Sequence, residues 1–141
     1  MADFFTHFSC ALDIGTPDNA ARALDLYRAF MEEAAREDIP PDGFLLSVQP
    51  EHGGSTLWIR DDGTGDPQQV ILFALRCAEE LGLTGRWGFQ WANTCSRPRV
   101  NAFGGGAHVL DLATHKTIAW IDTNGWLART LASVRRQRGT R

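Results

Sequence analysis

One long polar connection holds the side chains best suited to bind a partner. It runs from Asn93 to Gly106, a span of 14 residues, and joins two stretches that have the pattern of strands. Long connections of this kind often carry function. Its side chains that can form hydrogen bonds belong to Asn93, Thr94, Cys95, Ser96, Arg97, Arg99 and Asn101. Arg97 and Arg99 can each bind a carboxylate or a phosphate through two parallel hydrogen bonds, so we predict a contact site here. The alternative is an ordered loop whose polar groups satisfy its own backbone.

Two more residues belong to the predicted contact surface. Trp58 is expected to be exposed, because its neighbours Leu57 and Ile59 should face inward from the same strand. Arg86 adds a positive charge just before the aromatic strand that leads into the connection. The aromatic residues of that strand lie on a single face, a pattern that favours core packing over contact with a partner. They are Trp87, Phe89 and Trp91.

No cofactor or metal site is predicted. Three glycines, Gly104 to Gly106, lead into a strand, whereas a glycine-rich phosphate site leads into a helix. They are instead expected to permit a bulge or a tight bend. The acidic stretch from Asp61 to Asp66 lacks the alternating ligands of a calcium-binding loop and is read as a polar loop.

Catalysis is indicated only weakly. Cys95, His108 and Asp111 have the residue types of an activated thiolate, but no spacing in the sequence brings them together. A thiol enzyme at Cys95 is therefore a minor alternative, and the chain is predicted not to be an enzyme.

The three cysteines, Cys10, Cys77 and Cys95, are an odd number with no C-x-x-C pair, which favours neither a disulfide framework nor a zinc site. The chain shows no signal peptide and no apolar run long enough to cross a membrane. These features predict a cytoplasmic protein without a membrane partner.

Charge is divided unequally along the chain. Residues 1–85 hold 15 acidic and 5 basic residues, a net charge of −10, whereas residues 86–141 hold 2 acidic and 9 basic residues, a net charge of +7. Such a division can hold the two halves together, or can present an acidic and a basic surface to partners.

The order of predicted elements is β-α-β-β-α-β. Alternating apolar residues from Phe8 to Ile14 predict the first strand, and Thr16 with Pro17 predicts the start of the first helix. A hairpin separates strands at 44–48 and 56–59, and Asp66 with Pro67 begins a second helix that Gly82 ends. This order predicts an α+β fold, the ferredoxin-like split βαβ plait.

An added hairpin and a last helix follow. The hairpin is expected from Ala107 to Asp122, and Asn124 is expected to cap a helix whose apolar side carries Trp126, Leu127, Leu131 and Val134. The prediction is a single α+β domain over residues 1–134. The arginine-rich residues 135–141 are predicted to form a disordered basic tail.

Four stretches of the sequence resemble those of known proteins. They are Phe5 to Cys10, Gln49 to Gly54, Gly85 to Phe89 and Ala92 to Arg99. Together they resemble small uncharacterised proteins of bacterial plasmids and integrative elements, and the topology loosely resembles that of Api92-like plasmid proteins. The resemblance implies no catalytic residue. It implies roles such as countering a host defence system, as anti-CRISPR and anti-restriction proteins do, or regulating the maintenance of the element.

The first functional hypothesis is therefore a non-enzymatic binding protein that inhibits or regulates a larger protein or nucleoprotein assembly. The alternative is a regulator that binds nucleic acid through Arg86, Arg97, Arg99 and the basic tail. The sequence does not set the oligomeric state.

Overall fold

The computed structural model describes residues 3–37, 43–97, 99–100 and 102–139, and its elements follow in this order. They are β1 (Phe4–His7), β2 (Ser9–Asp13), α1 (Pro17–Arg36), β3 (Leu45–Val48), a 3₁₀ turn (Pro50–His52), β4 (Thr56–Arg60), α2 (Pro67–Leu81), β5 (Arg86–Cys95), β6 (Gly104–Asp111), β7 (Lys116–Asp122) and α3 (Thr123–Gly139). The fold is α+β, with two antiparallel sheets and three helices.

The first predicted strand corresponds to β2, and an additional strand, β1, precedes it and belongs to the other sheet. A four-stranded sheet has the order β1-β5-β6-β7, and a three-stranded sheet has the order β2-β4-β3. The chain passes from one sheet to the other at Phe8, which is buried and packs edge-on against Phe89. The alternation of apolar residues predicted β2. It did not predict that the residues before β2 form a strand of the other sheet.

Both long helices begin where their capping residues predict. The Thr16 side chain accepts a hydrogen bond from the Asn19 amide, and Pro17 is the first residue of α1. Asp66 caps α2 in the same way, and Gly82 ends it with a φ of 64°. Left-handed backbone of this kind favours glycine, so the predicted end of α2 is confirmed.

The core lies beneath α1 and α2. Its centre is a cluster of aromatic rings from Tyr27, Phe30, Phe44 and Phe73, whose centroids lie 5.2 to 6.1 Å apart. Leu57 and Ile59 of β4 are fully buried, while Trp58 between them is exposed. Trp87, Phe89 and Trp91 of β5 follow one another with ring centroids 5.5 Å apart and pack on this core, which confirms their predicted role.

The predicted 14-residue connection is wrong, because β5 and β6 both extend into it. Residues Ala92 to Cys95 pair with β1, and Gly104 to Gly106 pair with Asn93, Ala92 and Trp91. What remains between the strands is an eight-residue loop from Ser96 to Phe103. The glycines form no bend: a Cβ at Gly105 or Gly106 would collide with Trp91, so they permit close approach of the strands.

The last helix differs from its prediction in two ways. Asp122, not Asn124, caps it, since its carboxylate accepts hydrogen bonds from the amides of Asn124 and Gly125. The helix also continues to Gly139, so residues 135–139 are helical where a disordered tail was expected. β6 and β7 pair antiparallel ahead of this helix.

Candidate functional site

Several of the residues predicted to form a contact loop are instead bonded to β1 or to the residue before it. Asn93 accepts a hydrogen bond of 3.0 Å from the Thr6 hydroxyl, and Thr94 bonds the His7 ring at 3.1 Å. Ser96 bonds Asp3 twice, through its amide and through its hydroxyl, each at 2.9 Å. The polar groups of Asn93, Thr94 and Ser96 are thus bonded within the chain.

His7 joins a carboxylate to a hydroxyl at the junction of the two sheets. Its Nδ1 lies 3.0 Å from Asp61 Oδ2, and its Nε2 lies 3.1 Å from Thr94 Oγ1. The Asp61 carboxylate also accepts hydrogen bonds from the amides of Phe8 at 2.8 Å and Gly63 at 2.9 Å. The partners of His7 lie 54 and 87 residues further along the chain, so no local pattern in the sequence indicates them.

This arrangement has the order of a hydroxyl, imidazole and carboxylate triad. Acyl transfer also needs donors placed to hold the developing oxyanion, and none of these bonds supplies one. The bonds connect β1, β5 and the loop after β4 at the point where the chain changes sheets. His7, Asp61 and Thr94 thus help to hold this junction together.

Replacing Asp61 by asparagine should destabilise the protein in a pH-dependent way. Burial raises the pKa of Asp61, but the bonds from Phe8, Gly63 and His7 outweigh it and hold the pKa below the usual value of an aspartate. A depressed folded pKa contributes stability that is present above the unfolded pKa and lost as the pH falls through the folded value. We expect a loss of about 1–3 kcal/mol at pH 7 that shrinks between roughly pH 5 and pH 2.

Urea unfolding across that pH range measures the difference. Asp62→Asn is the matched control, because Asp62 is exposed and, among the described residues, its carboxylate bonds Thr64 alone. A loss at Asp61 that stays constant down to pH 2 would show that its carboxylate does not anchor the junction.

The remaining loop presents charge and apolar surface at its tip. Arg97 and Arg99 are exposed, Val100 is 92% exposed and Phe103 is 58% exposed. Among the described residues neither arginine takes part in a salt bridge. Asn101 lies outside the described residues.

Trp58 and Arg86 do not join this loop. Trp58 lies in the other sheet, where its indole N–H donates to Ser9 at 2.8 Å and the Arg60 guanidinium lies 4.0 Å from its ring centroid. Trp58 is exposed as predicted, but one ring face is occupied within the chain. Arg86 stands opposite Asp111 at the start of β5, roughly 30 Å along the strand from Cys95.

Cys95, His108 and Asp111 do not lie close together. His108 pairs with Phe89 and Asp111 with Arg86, so both lie toward the end of β5 remote from Cys95. His108 instead bonds the Thr117 hydroxyl at 2.8 Å, and burial lowers its pKa. Burial raises the pKa of the Cys10 and Cys77 thiols to about 12. In the part of the chain that the structure describes, no group of three potential metal ligands comes together.

A cleft that the sequence did not indicate lies at the start of α2. It has a volume of about 470 Å³ and is lined by Asp66, Pro67, Gln68, Ile71, Trp91, His108 and Trp120. Its Asp66 carboxylate is already bonded to the Gln68 amide, and its imidazole to Thr117. The two titratable groups of the cleft thus have partners within the chain.

An exposed apolar surface lies toward the C-terminal end of the described residues. On α3, Trp126, Leu127 and Leu131, which the sequence predicted to share an apolar side, are 50%, 51% and 56% exposed. On β7, Ile118, Trp120 and Ile121 are exposed as well. The spacing of apolar residues shows that a helix has an apolar side, but does not show what covers it.

Comparisons of this chain with models of protein families, with curated proteins and with solved structures find no match. None of the helices within the described residues is long and apolar enough to span a membrane.

Proposed function

We propose that the protein is a non-enzymatic binding protein that docks on a larger protein or nucleoprotein assembly and inhibits or regulates it. The observation that carries this proposal is the exposed apolar side of α3. Three large side chains on one helix, each at least half exposed, form a surface of the kind that marks an interaction site. Tryptophan, one of the three, is enriched among residues that dominate binding energy.

The chemistry of α3 indicates the class of partner. Its sequence from Thr123 to Gly139 contains four arginines and no acidic residue. An amphipathic helix binds by laying its apolar side into a groove, and the arginines favour a groove rimmed by carboxylates. The proposed partner surface is therefore an apolar groove with an acidic rim.

A ferredoxin-like plait is the proposed arrangement of the rest of the chain. In support, β2 pairs with β4 and β4 with β3, while β1 pairs with β5, all antiparallel. If β1 and β2 are counted as one interrupted strand, the order β5, β1/β2, β4, β3 is that of the split βαβ plait. The hairpin of β6 and β7 and the helix α3 are then additions to its edge.

The biological setting is proposed from the sequence resemblance alone. Small proteins of plasmids and integrative elements include inhibitors of host defence, so an anti-CRISPR or anti-restriction role in the cytoplasm is the setting we propose. A docking helix suits such a role, since inhibition by occupying a surface needs no catalytic residue.

Affinity capture from host lysate with matched variants tests the docking helix. We expect the Leu127→Ser, Leu131→Ser variant to retain less than about a tenth of the specifically captured partner, because it removes the central apolar contacts. The Arg97→Ala, Arg99→Ala variant changes the loop and should retain the partner. Circular dichroism establishes that each variant is folded.

Two results would contradict the proposal. Capture that survives in the α3 variant but fails in the loop variant would move the site to the Ser96 to Phe103 loop. Captured nucleic acid that is lost from the loop variant would favour the alternative, a regulator that binds nucleic acid.

A further inference from the structure

Two tryptophans stand on the same face of the four-stranded sheet, one on each side of β6. Trp91 of β5 pairs with Gly106, and Trp120 of β7 pairs with His108. Gly106 and His108 are two residues apart on β6, so they share one face of the sheet with both tryptophans. The register shift between β6 and β7 begins beyond these pairs, after Val109, and does not change this placement.

The two indoles line the cleft at the start of α2, which has a volume of about 470 Å³. Sites for small molecules have volumes of about 300–1,000 Å³. The Trp91 ring lies against Gly106, where a Cβ would collide with it, so the glycine lets this ring lean over β6 toward β7. Trp120 on β7 is 64% exposed, which leaves its ring open to a ligand.

The charge of the cleft favours a cation. No lysine or arginine of the described residues lines it, whereas Asp66 does. In the described part of the chain Asp66 forms no salt bridge, and its carboxylate accepts one hydrogen bond, from the Gln68 amide to Oδ1. Burial lowers the pKa of His108, so its imidazole is neutral at pH 7 and adds no positive charge.

The start of α2 does not suit an anion. Backbone N–H groups at the start of a helix ordinarily attract negative charge. Here the first residue, Pro67, has no N–H to offer. The amides of Gln68 and Gln69 already donate to Asp66, at 3.0 and 3.1 Å. An anion would therefore meet a carboxylate in place of free donors.

We propose that this cleft binds a quaternary ammonium group, held by the indole rings of Trp91 and Trp120 and by the Asp66 carboxylate. A cation is attracted to the negative face of an aromatic ring, and most strongly to that of tryptophan. A quaternary ammonium donates no hydrogen bond, so it needs no acceptor and suits walls made of indoles. Choline and trimethyl-lysine both carry this group. The proposal does not depend on the docking role of α3.

Titration of the isotopically labelled full chain with choline chloride, followed by NMR through the indole N–H signals, tests the proposal. The five tryptophans give five such signals. We expect saturable shifts for Trp91 and Trp120, and no shift for Trp58 in the other sheet. Dimethylbutanol, the neutral alcohol in which carbon replaces the nitrogen of choline, should bind at least about fivefold more weakly, because it lacks the charge.

Three variants identify the residues that bind choline. Trp120→Leu keeps an apolar side chain but removes one ring, so it should weaken choline binding at least about fivefold. Asp66→Asn removes the charge and keeps a residue that caps helices well, so binding should weaken while the circular dichroism is unchanged. Trp58→Leu, the matched control, changes an exposed tryptophan outside the cleft and should bind choline as the wild type does.

A peptide that contains trimethyl-lysine distinguishes two sources of the group. Tighter binding of the peptide than of choline means that the group belongs to a protein, and equal or weaker binding means a free small molecule. No saturable shift with either probe overturns the proposal, as does equal affinity for choline and dimethylbutanol. Undiminished binding by a folded Trp120→Leu protein also overturns it. These results leave the docking account untouched, since none of the variants changes Leu127 or Leu131.

Discussion

Replacing Phe73 with alanine should lower the free energy of unfolding by about 3–5 kcal/mol. The Phe73 side chain is fully buried, and its ring centroid lies 5.3 Å from that of Phe44 and 5.8 Å from those of Tyr27 and Phe30. Its removal leaves a cavity and also deletes three aromatic contacts. A loss of this size is a large fraction of the stability of a typical domain, so we expect partial unfolding at room temperature.

Leu72→Ala is the matched control for this experiment. Leu72 is the preceding residue of α2 and is 44% exposed, so its truncation leaves no buried cavity. Urea unfolding should show a loss several-fold smaller than that of Phe73→Ala. Equal losses at the two positions would mean that the core does not lie on the described side of α2.

Replacing Gly105 with valine should cost about 3 kcal/mol, the upper end of the range for overpacking. A Cβ at this position would collide with the backbone carbonyl oxygen of Trp91 on β5. Backbone cannot rotate aside as a flexible side chain does, so β5 and β6 must separate locally. The strain also reaches Thr123 at the start of α3, whose hydroxyl donates to the Gly105 carbonyl at 3.1 Å.

Ala107→Val is the matched control for Gly105→Val, because it introduces the same side chain at a position of β6 that is not a glycine. Ala107 lies two residues further along β6, opposite Gln90, and is partly exposed. Its position already accommodates a Cβ, and valine favours strands, so thermal unfolding should change by less than about 1 kcal/mol. If Gly105→Val were equally mild, the close approach of β5 and β6 would be wrong.

Local chemistry made the helices predictable. Thr16 with Pro17 and Asp66 with Pro67 fix the helix starts through side-chain hydrogen bonds and proline backbone geometry, and Gly82 fixes an end. These signals act within a few residues, so they can be read without knowledge of the rest of the chain. The exposed Trp58 and the inward Trp87 to Trp91 stripe followed from strand alternation in the same way.

Long-range pairing could not be predicted. The strand Phe4–His7 forms because it meets Ala92 to Cys95, and Asn93 and Thr94 find partners 87 residues away. The same polar residues would look like a contact site in any sequence until their partners are known. For α3, apolar spacing predicted an apolar side, but the spacing is the same whether the surface that covers this side belongs to this chain or to another.

The comparison of the α3 variant with the loop variant in affinity capture tests the central claim most directly. The docking account predicts that the specific partner is captured by the wild type and by Arg97→Ala, Arg99→Ala, and is lost from Leu127→Ser, Leu131→Ser. Retention of the same partner by a folded Leu127→Ser, Leu131→Ser protein at wild-type level would contradict it.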